Sequence, residues 1–187
     1  MEDYAQLHGG RRPDIVLHMG IATKRNYYSV ETQAHRDSYL VSDVNGRSGF
    51  QDGELYWRKS GMPAILKAGR ARDVNSASSA QPSSSPSITK PCANPCPPNE
   101  DLLDLWKAFG PCGAELHISS DAGRFVCEFI FYASLACAFQ AGHDRSVAFL
   151  HVPGSCNEED IEYGKDVTIA FIKALVTCWF DEKNMEQ

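Results

Sequence analysis

Glu115-Leu116-His117-Ile118-Ser119-Ser120-Asp121-Ala122-Gly123-Arg124-Phe125-Val126-Cys127-Glu128-Phe129-Ile130-Phe131-Tyr132 is the stretch on which the reading of the fold turns. Residues 115–119 form a short strand-like run, and the apolar residues from Phe129 to Ala136 are long enough for a buried helix. Between them, Ser120 and Asp121 are candidate helix caps, and Gly123 permits a tight turn. Cys127 then falls in the first turns of a helix, facing the positive end of its dipole, which is the placement a cysteine nucleophile needs. Taken alone, the residue reads first as a small buried thiol on a core helix, because free cysteine is among the most buried residue types.

Two other segments of the chain change that weighting. Residues 146–152 form a second strand-like run that leaves His151 at its C-terminal end, the edge where open α/β sheets bind ligands. Upstream, residues 20–31 lead from a strand (14–19) through a loop to Glu31. Cysteine, histidine and an acid on loops or element ends of one α/β domain match the nucleophile, base and orienting group of covalent acyl transfer. Strand 115–119, helix 124–140, strand 146–151 and helix 158–180 form a βαβα unit, which predicts parallel strands joined by a right-handed crossover. Asn157 is the expected cap of the last helix, with Glu158, Glu159 and Asp160 in its first turn and Ile161, Ile169, Ile172, Leu175, Val176 and Trp179 as its buried stripe. A short amphipathic helix begins at Asp101 and is ended by Gly110-Pro111. Residues 29–39 hold the acid in a polar segment, and Asp43-Val44-Asn45-Gly46 and Gln51-Asp52-Gly53 read as turns. The expected fold is a three-layer α/β/α open sheet with mostly parallel strands.

Bulk properties fit such a domain. A chain of 187 residues with 43% apolar composition is about one domain's length and can build one core. A net charge of −6 argues against nucleic acid as a partner, because phosphate binding needs a basic face. The first residues carry no apolar stretch that reads as a signal peptide, and residues 125–139 are too short for a spanning helix of about 20 residues, so a cytoplasmic protein without a membrane role is expected. The seven cysteines then read as reduced thiols. Composition shifts abruptly to Ser, Ala and Pro at about residues 71–99, which predicts a disordered insertion in a surface loop of a single domain spanning 1–187.

Three segments resemble the pyroglutamyl peptidase I family of cysteine peptidases, in the order acid, cysteine, histidine. Ser120-Asp121-Ala122-Gly123-Arg124-Phe125-Val126-Cys127 with Phe131-Tyr132 is similar to the family's nucleophile segment, departing at Glu128, where asparagine is usual. Phe149-Leu150-His151-Val152-Pro153 is similar to the histidine segment. Gly20 to Ala34 keeps the spacing of glycine, Ser-x-Glu and alanine, although Thr32 stands where a basic residue is usual and Gln33 and His35 are also atypical. An arginine that the family carries after the acid has no clear match, with Val41 in the expected neighbourhood and Arg36 and Arg47 nearby. The family also begins with a strand and a loop bearing glycine and phenylalanine that helps hold the pyroglutamyl ring. Residues 1–13 do not resemble it, so a fold truncated at its N-terminal end is expected. The resemblance implies a thiol omega-peptidase that removes N-terminal pyroglutamate from peptides, with Cys127 as nucleophile, His151 as general base and acid, and Glu31 as its orienter. It implies no cofactor and no metal, and a peptide as the partner; self-association is a further expectation, because a missing first strand exposes a sheet edge.

Other readings stand beside it. A catalytically inactive relative with a binding or structural role would lack the ring-holding loop, and a cysteine hydrolase of another small amide or ester would use the same three side chains. Cys92 and Cys96 read as linker thiols rather than metal ligands, since no paired set at zinc spacing accompanies them. His18, His35 and His117 are candidates for a metal site with Glu31, but His18 and His117 lie within strands and read as satisfied core or edge histidines.

Overall fold

The computed structural model describes residues 6–7, 9–71, 96–155 and 157–185. Its sheet has the order β1 (Val16–Ala22), β6 (Val147–Pro153), β2 (Tyr28–Glu31), β5 (Leu116–Ser119). A small separate pair joins β3 (Ala34–His35) to β4 (Ile65–Leu66). The helices are α1 (Leu55–Lys59), preceded by a π-helical turn Phe50–Glu54, then α2 (Glu100–Phe109), α3 (Val126–Gln140) and α4 (Glu158–Met185).

Alternation along β6 separates two cores. Ala148 and Leu150 face one side with Val30, Leu102, Trp106, Val167, Phe171 and Ala174, packing α2 and α4 against the sheet. Val147 and Phe149 face the other side with Tyr39, Trp57, Phe131, Tyr132 and Leu135, packing α3 and α1. The result is the expected three-layer α/β/α arrangement, and β6 is apolar on both faces because it is covered on both. α3 is likewise apolar around most of its circumference, as a helix sandwiched between the sheet and α1 must be.

The sheet is mostly parallel: β1 pairs with β6 and β2 with β5 in parallel register. The central pair differs, because β2 runs antiparallel to β6, with Ser29 opposite His151 and Val30 opposite Leu150. The expected parallel β5–α3–β6 unit is therefore not formed. β2 lies between those two strands, and β5 runs opposite to β6. The reason is that residues 28–31, which span the end of the expected loop and the start of the polar segment 29–39, form a wholly buried strand that takes the central place.

Other local expectations shift by particular contacts. Gln51-Asp52-Gly53 lies in the π-helical turn rather than an open one, and a Cβ on Gly53 would meet the Phe129 ring at 2.5 Å. α3 starts at Val126 with no side-chain cap; Asp121 instead caps the preceding turn, its carboxylate accepting from Gly123 N at 3.0 Å. Gly123 there holds φ 86°, which favours glycine. Asn157 does cap α4, accepting from Asp160 N at 2.9 Å. Of the insertion expected at about 71–99, residues 72–95, and with them Cys92, lie outside the described residues. Cys96 already packs on the α2/α4 core, and Asn99 caps α2 by accepting from Leu102 N.

The buried stripe of α4 is one step away from the expected one. Val167, Ala170, Phe171, Ala174, Leu175 and Cys178 face the core, whereas Ile161, Ile169, Ile172 and Val176 are exposed; the Trp179 side chain lies outside the described residues. Both sets keep helical spacing, so periodicity alone does not choose between them. Neighbouring substitutions distinguish them: Phe171→Ala destabilises by roughly 3–5 kcal/mol, while Ile172→Ala stays within about 0.5 kcal/mol, as denaturant unfolding will measure.

Candidate active site

The sheet register brings the three candidate residues together. His151 in β6 has Gly20 opposite it in β1 and Ser29 opposite it in β2. The same alternation that turns Val30 toward α4 turns Ser29 and Glu31 toward α3, the side of Phe149 and His151. Gly20 is a glycine because a Cβ there would lie 2.9 Å from Cys127 Sγ and 3.0 Å from the Phe149 ring. The sulfur thus sits over the β1–β6 edge, beside the histidine.

His151 Nδ1 pairs with Glu31 Oε1 at 2.8 Å, and the Cys127 sulfur lies over Gly20, the residue opposite His151 in β1. Burial would push the imidazole pKa down, but the influence of Cys127 and Glu31 outweighs it and raises the value to about 9. The proton is therefore held on the ring that stands between the sulfur and the carboxylate. Glu31 is fully buried. Its desolvation favours the neutral acid, yet hydrogen bonds from His151, Ser119 and Arg25 and the Arg25 charge keep its pKa below the usual carboxylate value. Arg25 Nη1 donates to the same Oε1 at 2.7 Å. Among the described residues Oε2 has no well-aligned partner, because the nearby Ser119 hydroxyl donates to the Asp121 carbonyl at 3.4 Å.

The start of α3 is anchored from the other side. Glu128, fully buried next to Cys127 in sequence, accepts from His35 N at 2.9 Å, pairs with His35 Nδ1 at 2.5 Å, and accepts from Arg124 Nη1. Gln33 approaches the other ring nitrogen of His35 at 3.3 Å. Tyr39 donates to the His35 carbonyl at 2.5 Å, and Glu54 holds the backbone N–H groups of Ser38 and Tyr39. This scaffold shapes a cavity of about 380 Å³ whose walls include Tyr39, Val41, Arg47, Phe125, Val126 and Phe129. Phe125 and Val126, the two residues before Cys127, are half exposed within it.

No family model and no curated protein matches this sequence. Solved structures do. Pyrrolidone carboxyl peptidase from the hyperthermophile Pyrococcus furiosus matches with a TM-score of 0.58 at 18% identity, over 97% of this chain and 74% of that one. Pyroglutamyl peptidase I from Bacillus amyloliquefaciens matches with a TM-score of 0.53 at 18% identity, over 94% and 70%. The fold is that of the pyrrolidone carboxyl peptidases.

Within this pyrrolidone carboxyl peptidase fold, Cys127, His151 and Glu31 are brought into one line. The histidines weighed as a metal cluster are not. His18 Nε2 pairs with Ser134 Oγ at 2.8 Å, His35 with Glu128, and His117 lies on Tyr27 with ring centroids 4.4 Å apart. Among the described residues, no group of three His, Cys, Asp or Glu side chains is placed to hold a metal ion, and no helix is long and apolar enough to cross a membrane. Of the arginines near the expected position, Arg47 lines the cavity and pairs with Asp52 at 2.9 Å, while Arg36 turns to Asp37 and the Met62 carbonyl. Sequence reasoning missed Arg25 and the anchoring role of Glu128. The only sequence signal for Arg25 was its place between Gly20 and Glu31.

A raised histidine pKa has a defined stability signature. The bound proton's contribution is fully present below the ordinary value of 6.5 and is lost as pH rises through about 9. NMR titration will place the His151 midpoint near 9 in the wild-type chain, and lower in Cys127→Ala, which lacks one of the two groups that raise it.

Proposed function

We propose that this chain is a cysteine omega-peptidase that removes N-terminal pyroglutamate from peptides, acting through Cys127, His151 and Glu31. The observation that carries the reading is the imidazole of His151 held between the Cys127 thiol and the buried Glu31 carboxylate. That is the nucleophile–base–orienter order of a catalytic triad. The three-layer domain, read as spanning 1–187 around its insertion, has the fold of proteins that carry the pyrrolidone carboxyl peptidase name.

In this reading the thiol proton has passed to His151 before sulfur attacks the pyroglutamyl carbonyl carbon. The tetrahedral oxyanion then collapses, breaking the C–N bond, and His151 delivers the proton to the leaving amine. Water, deprotonated by the same imidazole, hydrolyses the thioester and restores the thiol. Glu31 keeps Nδ1 as the donor side of the ring, so that Nε2 faces the reaction. The first-turn N–H groups of α3 are not taken by a side-chain cap and suit an oxyanion forming beside Cys127. The cavity reached by Phe125 and Val126, the two residues before Cys127 in the chain, suits a flat lactam ring, although Cys127 itself is not one of its walls: Tyr39, Phe125 and Phe129 supply apolar faces, and Arg47 and Asp52 lie among its polar groups. Its volume lies within the usual range for small-molecule sites.

Turnover of a fluorogenic pyroglutamyl amide tests the proposal. Wild-type chain should release the fluorophore, Cys127→Ala should abolish release, and Glu31→Gln should lower kcat by roughly 10⁴-fold. A folded wild-type chain as silent as Cys127→Ala, yet still binding a pyroglutamyl ligand, would replace the peptidase reading with that of an inactive binding protein. Turnover of other small amides or esters but not of pyroglutamyl amides would point to the broader hydrolase.

A further inference from the structure

Arg25 stands in the loop between β1 and β2 and touches three separate parts of the site. Its Nη1 donates to Ser29 Oγ at 2.5 Å and to Glu31 Oε1 at 2.7 Å, and its Nη2 donates to the Asp121 carbonyl at 2.8 Å. Asp121 lies in the turn that delivers Cys127 to the start of α3, with its side chain bonded to Gly123 N and to Arg124 Nη1. One guanidinium therefore ties the acid strand to the nucleophile turn, and it shares the very oxygen that His151 uses. We infer that Arg25 is a positioning residue for the triad, fixing the Glu31 carboxylate toward His151 and setting the Cys127 turn against β2. This rests on the peptidase reading for its catalytic consequence, but its structural content does not.

The physical need is plain. Glu31 is wholly buried, and a buried carboxylate persists as an anion only when paired. The groups facing it are His151 from β6, Arg25 from the β1–β2 loop and Ser119 from β5, with Cys127 of α3 acting through the imidazole. Asp121 is in turn paired with Arg124, which also binds Glu128, so among the described residues the only fixed cation bonded to Glu31 is Arg25. Without it, the carboxylate would protonate at higher pH and release Nδ1 of His151. The forked geometry matters as well, because a lysine ammonium is a single point on a flexible stem and does not span the Glu31 carboxylate and the Asp121 carbonyl together.

Two variants and two readouts test the role. In Arg25→Gln, the downfield NMR signal of the His151 Nδ1–H bonded to Glu31 should vanish on acidification about one pH unit or more earlier than in the wild-type chain, since an adjacent arginine lowers a carboxyl pKa by about 1–3 units. The acid limb of pyroglutamyl amide turnover should move the same way, and kcat should fall by about tenfold or more. Arg25→Lys keeps the charge, so the signal should persist to nearly the wild-type pH while kcat still falls. A folded Arg25→Gln with unchanged NMR midpoint and unchanged kcat overturns the inference; if that variant does not fold, Arg25→Lys with wild-type kcat does so. Should the wild-type chain show no turnover, the peptidase reading fails, and the NMR midpoints alone decide the role of Arg25.

Discussion

The Glu31 carboxylate, fully buried and shared between His151 and Arg25, is the constraint around which the rest of this site is arranged. A charge in that position is costly unless paired, so strand β2, which carries it, has to meet β6 on one side and the Cys127 turn on the other. The antiparallel β2–β6 pairing does both. It sets Ser29 across from His151, while the parallel β2–β5 pairing brings Ser119 and the turn after it beside Glu31. Gly20 on the far side of His151 then leaves the space that the sulfur occupies. Four chain segments distant in sequence meet because one acid is buried among them.

A second buried carboxylate explains the places where this chain departs from the family it resembles. Glu128 replaces the usual asparagine, and Gln33 and His35 are atypical in the acid segment. In the structure these departures are joined: Gln33 meets His35, His35 meets Glu128, and Glu128 is completed by Arg124. A carboxylate at 128 alone would be a buried unpaired charge; with His35 and Arg124 beside it, it becomes a clamp between β3 and the first turn of α3. The two clamps have the same composition, one glutamate, one histidine and one arginine; one reaches the turn before α3 through Asp121 and the other its first turn through Glu128. Each substitution read alone weakens the resemblance, and read together they anchor the start of α3.

Much of this was legible in the sequence, for physical reasons. Cys127, His151 and Glu31 stand out as candidates because a tight turn before an apolar helix, a histidine ending an apolar strand and an acid after a glycine loop are local patterns. The pairing of strands is not local. Residues 28–31 looked polar because two of the four, Ser29 and Glu31, are polar, and nothing in the segment reveals that both are satisfied by groups from elsewhere. That error also misled the crossover between β5 and β6. The stripe of α4 failed differently: two sets of residues fit the same helical period, and the smaller Ala170 and Ala174 with Phe171, rather than the bulkier isoleucines, fit against Trp106 and β6. Arg25 carried no mark beyond its position, since an arginine's role depends on what its guanidinium reaches.

Cys127 is singled out by its partners and not by its accessibility. Cys112 and Cys137 are exposed, whereas Cys127 is only partly so. Mass-spectrometric mapping after brief exposure to a pyroglutamyl chloromethyl ketone measures this directly. The label is expected on Cys127 first, protected by excess pyroglutamyl peptide and lost in His151→Ala. Labelling that follows exposure, with Cys112 and Cys137 modified ahead of Cys127 in the folded wild-type chain, would contradict it.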